Sequence, residues 1–363
     1  MDIKRNILLN PGPATTTDTV KRAQLVPDIC PREREFGELM RDLGADLLKV
    51  VHANETEWTT VLFCGSGTIC MDACVSSLIP ADGKLLIVNN GAYSARAAEM
   101  ARAYAVPHID LQFPIDALPD LEVVERTLIE HPDITAVYTT HQETGTGILN
   151  PVREIGARAH AHGALMIADT ISTYAMIPFT VDEMNIDVCM SSAQKGIQGM
   201  TGLSYVLAKK SVLTAAKSYP VRSYYTNLVM QYEGFEQTGE MRFTPPVQTV
   251  YAAKRALAEY FAEGAAKKWA RHTRTINAIH EGLAALGLTE AIPREIQSGL
   301  VVAVEYPANF DFMRVHDYCY ERGYTIYPGK MQTASTFRLC ALGAIDEADI
   351  RGFFRVFEEA LKA

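Results

Sequence analysis

Short apolar segments alternate with amphipathic ones through the first two thirds of the chain. Apolar runs with the length of buried β-strands cover residues 59–64, 84–89, 106–109, 134–140, 165–168, 188–191 and 203–208. Segments with apolar residues at helical spacing predict intervening helices over 68–79, 92–104, 120–131 and 151–162. Strands that alternate with helices predict a mostly parallel sheet with both faces covered.

The two ends of the chain have a different pattern. Asn10-Pro-Gly-Pro13 favours a stiff extended turn, and helices are predicted over 19–25 and 34–52. After Pro245 and Pro246 the pattern predicts a helix over 248–263, a second helix that follows it and ends at about 285, and two more over 311–322 and 346–361. Strands are predicted over 300–304, 325–327 and 336–339. We therefore predict an N-terminal arm (1–17), a large α/β domain (18–245) and a smaller C-terminal α+β domain (246–363).

Composition narrows the function classes. A chain of 363 residues is long for one core and suits two domains. Its net charge of -9 argues against a nucleic-acid or anionic-membrane partner. No apolar run approaches the roughly 18 residues of a membrane span, and the N-terminus lacks the apolar core of a signal peptide. The seven cysteines, several in apolar segments, are interpreted as reduced thiols of a cytoplasmic protein without a metal site.

One lysine stands directly after a buried apolar run. Lys195 lies in Ser191-Ser-Ala-Gln-Lys-Gly-Ile-Gln-Gly199, where a lysine is costly unless its amine is neutral, paired or covalently used. Asp169 ends another apolar strand, and Gly65-Ser-Gly-Thr68 offers backbone N–H groups to an anion at a helix start. Together they suggest pyridoxal phosphate (PLP), with a Schiff-base lysine, a carboxylate for the pyridinium nitrogen and a phosphate cradle.

The carboxyl ends of parallel strands meet at one edge of a sheet, where ligands bind. Thr68, Glu143, Asp169 and Lys195 all lie at or just after predicted strand ends, so we expect one cleft to gather them. Each residue also has a purely structural interpretation. Glycines between strand and helix usually only make the turn, and Asp169 could equally cap a helix.

Several other side chains are open to two interpretations. Tyr93 starts a helix and is either a core tyrosine or a ring that stacks on a planar ligand. His141 follows a strand, and a lone histidine is more often structural than catalytic. Arg338 lies in a short apolar strand and needs an anion, either a substrate carboxylate or phosphonate or an internal salt bridge. Arg242 is a second arginine of this kind.

Across almost its whole length the chain resembles the class V aminotransferases, which are fold-type-I PLP enzymes. The resemblance rests on Asn10-Pro-Gly-Pro-Ala-Thr-Thr16, Gly65-Ser-Gly-Thr68, Asn90-Gly-Ala-Tyr93, Glu143-Thr-Gly-Thr-Gly-Ile-Leu-Asn-Pro151, the segment around Lys195, Arg242-Phe-Thr-Pro-Pro246, Ile326-Tyr-Pro-Gly-Lys330 and Phe337-Arg338. More narrowly, the Thr-Thr pair, the Tyr-Pro-Gly-Lys segment and Cys30-Pro-Arg-Glu-Arg-Glu-Phe36 resemble the 2-aminoethylphosphonate–pyruvate transaminases. The chain departs from that pattern in Asp169-Thr-Ile-Ser-Thr-Tyr174, in Gln194 and in Gly145.

The resemblance implies a role for each matching residue. Lys195 would hold the cofactor and move a proton between the substrate carbon and the cofactor, while Asp169 keeps the pyridinium protonated. The other implied ligands are Ser66, Gly67, Thr68 and Gln194 for the cofactor phosphate, Tyr93 for the ring, Thr144 or Thr146 for the phenolic oxygen, and Arg338 with Thr15 and Thr16 for the substrate. Thr244 would reach the phosphate of a neighbouring subunit, which makes a homodimer necessary for activity.

The implied reaction interconverts 2-aminoethylphosphonate and pyruvate with phosphonoacetaldehyde and L-alanine. An alternative within the same class is an alanine–glyoxylate or serine–pyruvate aminotransferase, in which Arg338 binds only carboxylates. A desulfurase would need a mobile cysteine beside the substrate, and Cys340 in its apolar strand does not fit that requirement. A regulator or scaffold with this fold would not react with the cofactor at all.

Overall fold

The computed structural model describes residues 3–329, 331 and 335–362. Lys330, which ends one of the motifs above, lies outside the described residues, as do the first two residues of the predicted arm and the last residue of the predicted C-terminal domain. The helices over the described residues are α1 (Asp18–Arg22), α2 (Arg34–Val50), α3 (Thr68–Ser77), α4 (Ala92–Ala103), α5 (Leu121–Glu130), α6 (Val152–Ala161), α7 (Lys210–Ala216), α8 (Leu228–Thr238), α9 (Val247–Glu263), α10 (Ala265–Ala285), α11 (Phe312–Glu321) and α12 (Glu347–Lys362).

The strands of the described residues form one large sheet and three small ones. They are β1 (Ile7–Leu8), β2 (Trp58–Cys64), β3 (Lys84–Asn89), β4 (His108–Gln112), β5 (Ile134–Thr140), β6 (Gln142–Glu143), β7 (Ile148–Leu149), β8 (Leu165–Asp169), β9 (Val188–Ser192), β10 (Leu203–Lys209), β11 (Val301–Glu305), β12 (Tyr324–Thr325), β13 (Tyr327–Pro328) and β14 (Thr336–Cys340). The large sheet has the order β2-β10-β9-β8-β5-β3-β4.

The prediction of a mostly parallel sheet is confirmed, with one exception. Strands β9, β8, β5, β3 and β4 run parallel, whereas β10 is antiparallel to both β9 and β2. Residues 193–202, which include Lys195, are the whole connection between β9 and β10. A connection this short cannot make the crossover that parallel strands need, so the chain has to turn back on itself.

Alternation along each strand covers both faces of this sheet. On β3, Leu86 and Val88 join the cluster that contains α2 and α6, while Leu85 and Ile87 join the cluster that contains α3 and α4. Side chains two residues apart point to the same face, so an uninterrupted apolar run has to be buried on both sides. The two helical layers leave only the strand ends free to carry polar groups.

The chain after α9 builds a second, smaller sheet, in which β14 lies between β11 and β13 and is antiparallel to both. The predicted strand over 325–327 is in fact two short strands, of which β12 pairs with β1 from the N-terminal arm. Helices α7 and α8 were missed, although Asn227 caps α8 and Gly239 ends it with a left-handed φ of 73°. The division into domains stays a prediction.

None of the described helices is long and apolar enough to cross a bilayer. All seven cysteines are free thiols. No group of three or more histidine, cysteine, aspartate or glutamate side chains with the arrangement of a metal site occurs in the described part of the chain.

Candidate active site

The carboxyl ends of β5, β8 and β9 meet the start of α3 at a cleft of about 580 Å³. Most of the predicted cofactor residues line it. They are Ser66, Gly67, Thr68, Tyr93, Thr144, Asp169, Gln194 and Lys195, and they are joined by Met71, Arg96, Thr140, Gln142, Ile171, Ser172 and Ser192. Thr15, Thr16, Thr146, Thr244 and Arg338 are not among the residues that line this cleft.

Lys195 stands in the turn between β9 and β10, and the N-terminal arm lies directly on it. Its Nζ donates a hydrogen bond to the carbonyl of Pro11 at 2.5 Å, and a Cβ at Gly12 would collide with that amine. Burial lowers the pKa of the Lys195 amine, the charge of Arg338 lowers it further, and Asp169 opposes the shift. The arm therefore takes part in the site, and burial shifts the amine toward its neutral form.

Asp169 ends β8 at the floor of the cleft and is almost fully buried. The backbone N–H of Ile171 donates to one carboxylate oxygen at 2.9 Å, and the Tyr138 hydroxyl donates to the other at 3.3 Å. Burial raises the pKa of Asp169 to about 6, although the bond from Ile171 lowers it. A buried carboxyl of this kind has a strong preference for a cationic N–H partner.

Glu143 does not line the cleft, which corrects the expectation that all four strand-end residues gather there. Its carboxylate accepts hydrogen bonds from the backbone N–H groups of Tyr93 and Ser94, at 3.1 and 2.8 Å, and from the Ser94 hydroxyl at 2.6 Å. It therefore caps the start of α4. Its role is to hold the helix that carries Tyr93.

The neighbouring threonines Thr144 and Thr146 have different surroundings. The Thr146 hydroxyl donates to the carbonyl of Glu143 and accepts from the N–H of Ile148, both at 3.3 Å. The Thr144 hydroxyl is buried in the cleft wall and has no hydrogen-bond partner among the described residues. Of these two threonines, Thr144 is therefore the one with a free hydroxyl at the cleft.

Four buried polar atoms of the cleft lack a partner in the described residues: Thr144 Oγ1, Gln142 Oε1, Ser192 Oγ and Gln194 Oε1. Buried polar groups are nearly always hydrogen-bonded in folded proteins, so this concentration fits a polar ligand. Gly67 adds a steric argument, because a Cβ there would lie 2.8 Å from the side chain of Ile171. The free hydroxyls of Thr144 and Ser192 can donate to the phenolic and phosphate oxygens of PLP, whereas the two amide oxygens need a donor.

Arg96 was missed by the sequence analysis. Its guanidinium donates to the Thr68 hydroxyl at 3.0 Å and lies 5.1 Å from the centre of the Tyr93 ring. No carboxylate lies within 4 Å of it among the described residues. A signal was present, because Arg96 is three residues after Tyr93 and shares its helix face. This arginine places a positive charge at the same end of the cleft as the Gly-Ser-Gly-Thr turn.

Arg338 is 2% exposed, and its hydrogen bonds within the described residues go only to backbone carbonyls. It donates to Thr144 at 3.0 Å and to Pro328 at 3.1 and 3.0 Å. No carboxylate lies within 4 Å of the Arg338 guanidinium in the described part of the chain, so the alternative of an internal salt bridge is not supported. A buried guanidinium without an anion is costly, and Thr144 connects this one to the wall of the cleft.

The remaining predicted residues lie outside the cleft. Thr15 is buried, and its hydroxyl accepts from the N–H of Leu8 at 2.9 Å, whereas Thr16 is partly exposed. Thr244 is exposed. Arg242 lies over the rings of Tyr224 and Phe243, at 5.3 and 5.1 Å, on the surface.

His141 is structural. It is buried, its Nδ1 lies 2.9 Å from the Thr173 hydroxyl, and burial lowers its pKa to about 4.

Comparison with known families identifies the class of protein that carries this site. The family Aminotransferase class-V matches residues 28–343. The chain belongs to the class V aminotransferases. Enzymes of this class use pyridoxal 5′-phosphate, so the prediction of this cofactor is confirmed.

Two relatives of this class V aminotransferase are similar over nearly their full length. The 2-aminoethylphosphonate–pyruvate transaminase of Lactiplantibacillus plantarum is 36% identical over 349 residues, which covers 95% of both chains. The enzyme of the same name from Cupriavidus necator is 34% identical over 359 residues, which covers 98% of this chain and 94% of the relative.

Solved structures agree on the fold. Ureidoglycine–glyoxylate aminotransferase from Bacillus subtilis superimposes with a TM-score of 0.90 at 22% identity, covering 99% of this chain and 94% of that one. Alanine–glyoxylate aminotransferase from Nostoc sp. has the same TM-score at 23% identity, covering 99% and 96%. The predicted fold-type-I architecture of this class V aminotransferase is thereby confirmed.

Proposed function

We propose that this class V aminotransferase is a 2-aminoethylphosphonate–pyruvate transaminase, which interconverts this aminophosphonate and pyruvate with phosphonoacetaldehyde and L-alanine. The observation that carries the proposal is Arg338, a buried guanidinium beside the cleft that has no acidic partner in the described residues. Both the phosphonate of one substrate and the carboxylate of the other are anions that arginine binds through paired hydrogen bonds. The full-length relatives of that name support the same assignment.

The cleft residues divide into three sets around the cofactor. Lys195 and Asp169 face its reactive part, and the phosphate is held by Ser66, Gly67, Thr68, Gln194 and Arg96. Tyr93 stacks on the ring, and Thr144 rather than Thr146 donates to the phenolic oxygen, because only Thr144 has a free hydroxyl there. When bound, the cofactor supplies an electron sink for the negative charge that develops at the substrate carbon.

Lys195 moves the proton. Its amine has to be neutral to take a proton from the substrate carbon, and burial together with the charge of Arg338 favours that form. Its hydrogen bond to Pro11 holds the free amine at the cleft. Asp169 stays ionised opposite a cationic pyridine nitrogen, since such a partner lowers the pKa of this carboxyl, which is about 6 mainly because of burial.

The substrate anion lies between Arg338 and the N-terminal arm. Thr16 is the arm residue available to it, while Thr15 shapes the arm through its bond to Leu8. Arg338 already donates to the carbonyls of Thr144 and Pro328, so its orientation is fixed before the substrate arrives. The same guanidinium serves the phosphonate in one half-reaction and the pyruvate carboxylate in the other.

The enzyme acts as a homodimer in which Thr244 reaches the cofactor phosphate of the partner. Supporting this, Thr244 lies on the surface beside an exposed aromatic group: Tyr224 is 71% exposed, Tyr225 is 44% exposed, and Tyr225 stacks on Phe243 at 4.6 Å. Exposed aromatics and arginine are typical of interfaces. A molecular mass of one chain in solution for the active holoenzyme would overturn this part of the proposal.

The test is a half-reaction of the purified holoenzyme without a keto acid. We expect 2-aminoethylphosphonate to convert the bound cofactor rapidly, observed as loss of its visible absorbance. L-Alanine, the amino donor of the reverse overall reaction, should cause the same loss, and L-serine should be inert. Rapid conversion by serine, with the aminophosphonate inert, would instead place the enzyme with the serine–pyruvate aminotransferases. A desulfurase is disfavoured because Cys340 is fully buried and burial raises its pKa to about 12.

A further inference from the structure

Lys268 is a buried lysine outside the cleft, on α10. It is 2% exposed, and its Nζ donates to the carbonyl of Gly196 and lies 5.1 Å from the centre of the Tyr260 ring. No carboxylate lies within 4 Å of it in the described residues. An amine buried without an ion pair costs stability that an apolar side chain of similar length would not. Its one hydrogen bond therefore deserves a functional explanation.

Gly196 follows the catalytic lysine directly. Its carbonyl receives no backbone N–H in the described part of the chain, so Lys268 satisfies it. On its other side Gly196 packs so closely against Tyr174 that an added Cβ would collide with the Tyr174 carbonyl oxygen. The first residue after Lys195 is thus held from two directions.

Other backbone hydrogen bonds hold the rest of this turn, and one of them comes from the N-terminal arm, where the N–H of Ala14 donates to the carbonyl of Gln194 at 2.8 Å. The N–H of Gly199 donates to the carbonyl of Ala193 at 2.7 Å, and the N–H of Gln198 donates to Lys195 at 3.0 Å. Gln198 adopts a left-handed φ of 62°. A turn with this unfavourable backbone conformation needs contacts from outside to stay in one geometry.

We propose that Lys268 is a positioning residue for Lys195, because its hydrogen bond to Gly196 fixes the backbone from which the catalytic lysine enters the cleft. The inference rests on the proposed function, in which the Lys195 amine has to reach the substrate carbon. A lysine side chain has four rotatable bonds, so the position of its amine can be accurate only if the backbone that carries it is fixed. Lys268 itself touches neither the cleft nor a reacting atom.

The strength of this bond depends on protonation. Burial and, to a smaller extent, the charge of Arg271 lower the pKa of Lys268 to about 7, while the charge of Glu263 opposes this shift. The charged or titratable groups around it are Tyr260, Glu259 and Glu263 of α9, Arg271 and His272 of α10, and Asp346 from the loop before α12. A charged amine donates more strongly than a neutral one, so the turn should be held less firmly as pH rises above about 7.

Hydrogen exchange of the holoenzyme tests the proposal, with Lys268→Met and Lys268→Arg as variants. Lys267→Met is the matched control, because Lys267 is the adjacent lysine of α10 and is exposed. In Lys268→Met we expect backbone amides within 193–202 to exchange about tenfold faster than in the native enzyme, with the rest of the chain unchanged. Lys268→Arg keeps a cationic donor and should restore part of the protection.

The half-reaction gives the second measurement. We expect the rate constant for cofactor conversion by 2-aminoethylphosphonate to fall about tenfold in Lys268→Met at pH 6.5, with a smaller difference at pH 8.5, where Lys268 has lost its proton. Unchanged exchange over 193–202, or faster exchange spread evenly over the chain, would overturn the proposal. If the native enzyme does not react with the aminophosphonate, the proposed function fails. The role of Lys268 is then still decided by hydrogen exchange over 193–202, together with borohydride fixation of the cofactor on Lys195.

Discussion

The two ends of the cleft are built differently. The phosphate end, defined by Ser66, Thr68, Arg96 and Gln194, stands on a strand end, a helix start and the turn after β9. The arginine end is defined by Arg338, Thr144, Pro328 and Pro11, and it brings together three distant parts of the chain. These are the arm, through the bond of Pro11 to Lys195, the segment after β5, and the paired strands β13 and β14 of the small sheet. One end is positioned by regular structure within the large sheet, and the other by contacts between the large sheet, the small sheet and the arm.

This difference separates two tasks. In the proposed function the phosphate end binds one cofactor that stays in place, and helix starts with backbone donors suit a fixed anion. In the same proposal the arginine end has to accept a phosphonate and a carboxylate in turn. Its guanidinium is held by carbonyls rather than by a carboxylate, so its charge stays available for either substrate.

The largest effect is expected at Asp169, between the two ends. Asp169→Asn keeps the shape but removes the negative charge opposite the pyridine nitrogen. Breaking a buried ion pair costs about 3–5 kcal/mol, so we expect both half-reactions to slow by a factor of roughly 10² to 10⁴. Stopped-flow absorbance measurements with 2-aminoethylphosphonate and with pyruvate check this. A loss confined to one half-reaction would contradict a role common to both.

Asp169→Asn also shows what the buried charge of Asp169 costs in folding stability, separately from what it contributes to the reaction. In the cofactor-free protein the folded pKa of Asp169, about 6, is above its ordinary value of 3.8. A raised carboxyl pKa stabilises the fold below pH 3.8, and this contribution is lost as pH rises through about 6. Cofactor-free Asp169→Asn should therefore be more stable than the native protein at pH 7, by about 3 kcal/mol at most. Thermal unfolding at pH 7 and pH 4.5 should show this advantage shrinking at the lower pH.

The sequence was informative about the phosphate end because its cues are local. A glycine turn between strand and helix, an acid at a strand end and a lysine after an apolar run are each readable within a few residues, and Ser66, Asp169 and Lys195 do line one cleft. Contacts between distant segments leave no such cue. Nothing near Thr15 indicates that its hydroxyl binds Leu8, and nothing near Gly196 indicates that Lys268 satisfies its carbonyl.

A variant of Arg338 tests whether the arginine end binds the substrates and not the cofactor. Arg338→Met should lower kcat/KM roughly 100-fold for both 2-aminoethylphosphonate and pyruvate, because each anion loses its buried partner. Cofactor affinity, measured by absorbance titration, should change little. Arg322→Met is a control, since Arg322 lies on the surface against Tyr318 in the same C-terminal part. A loss for pyruvate alone would indicate that another cation binds the phosphonate.

Arg96 provides the opposite test at the phosphate end. Arg96→Met should weaken cofactor binding about tenfold, since a hydrogen bond to a charged group contributes about 1.5–3 kcal/mol. KM for both substrates should stay close to the native value once the cofactor is saturating. Arg102→Met, on the exposed part of the same helix, should leave cofactor affinity unchanged. A rise in KM for the aminophosphonate would move Arg96 to the substrate and break the separation of the two ends.

The smallest expected effect concerns Thr144 and Thr146, two neighbouring threonines of which Thr144 belongs to the arginine end. Thr144→Ala removes a free hydroxyl from the cleft, and we expect cofactor affinity to fall about fivefold, as for one neutral hydrogen bond of about 1 kcal/mol. Thr146→Ala removes a hydroxyl already bonded to the backbone at Glu143 and Ile148, so it should lower the unfolding temperature without changing cofactor affinity. Absorbance titration and thermal unfolding of both variants distinguish these outcomes. Because the Thr144 carbonyl also orients Arg338, and alanine keeps that carbonyl, KM should not change in Thr144→Ala. An increased KM would mean that the side chain, and not only the backbone, couples the cofactor to the arginine end.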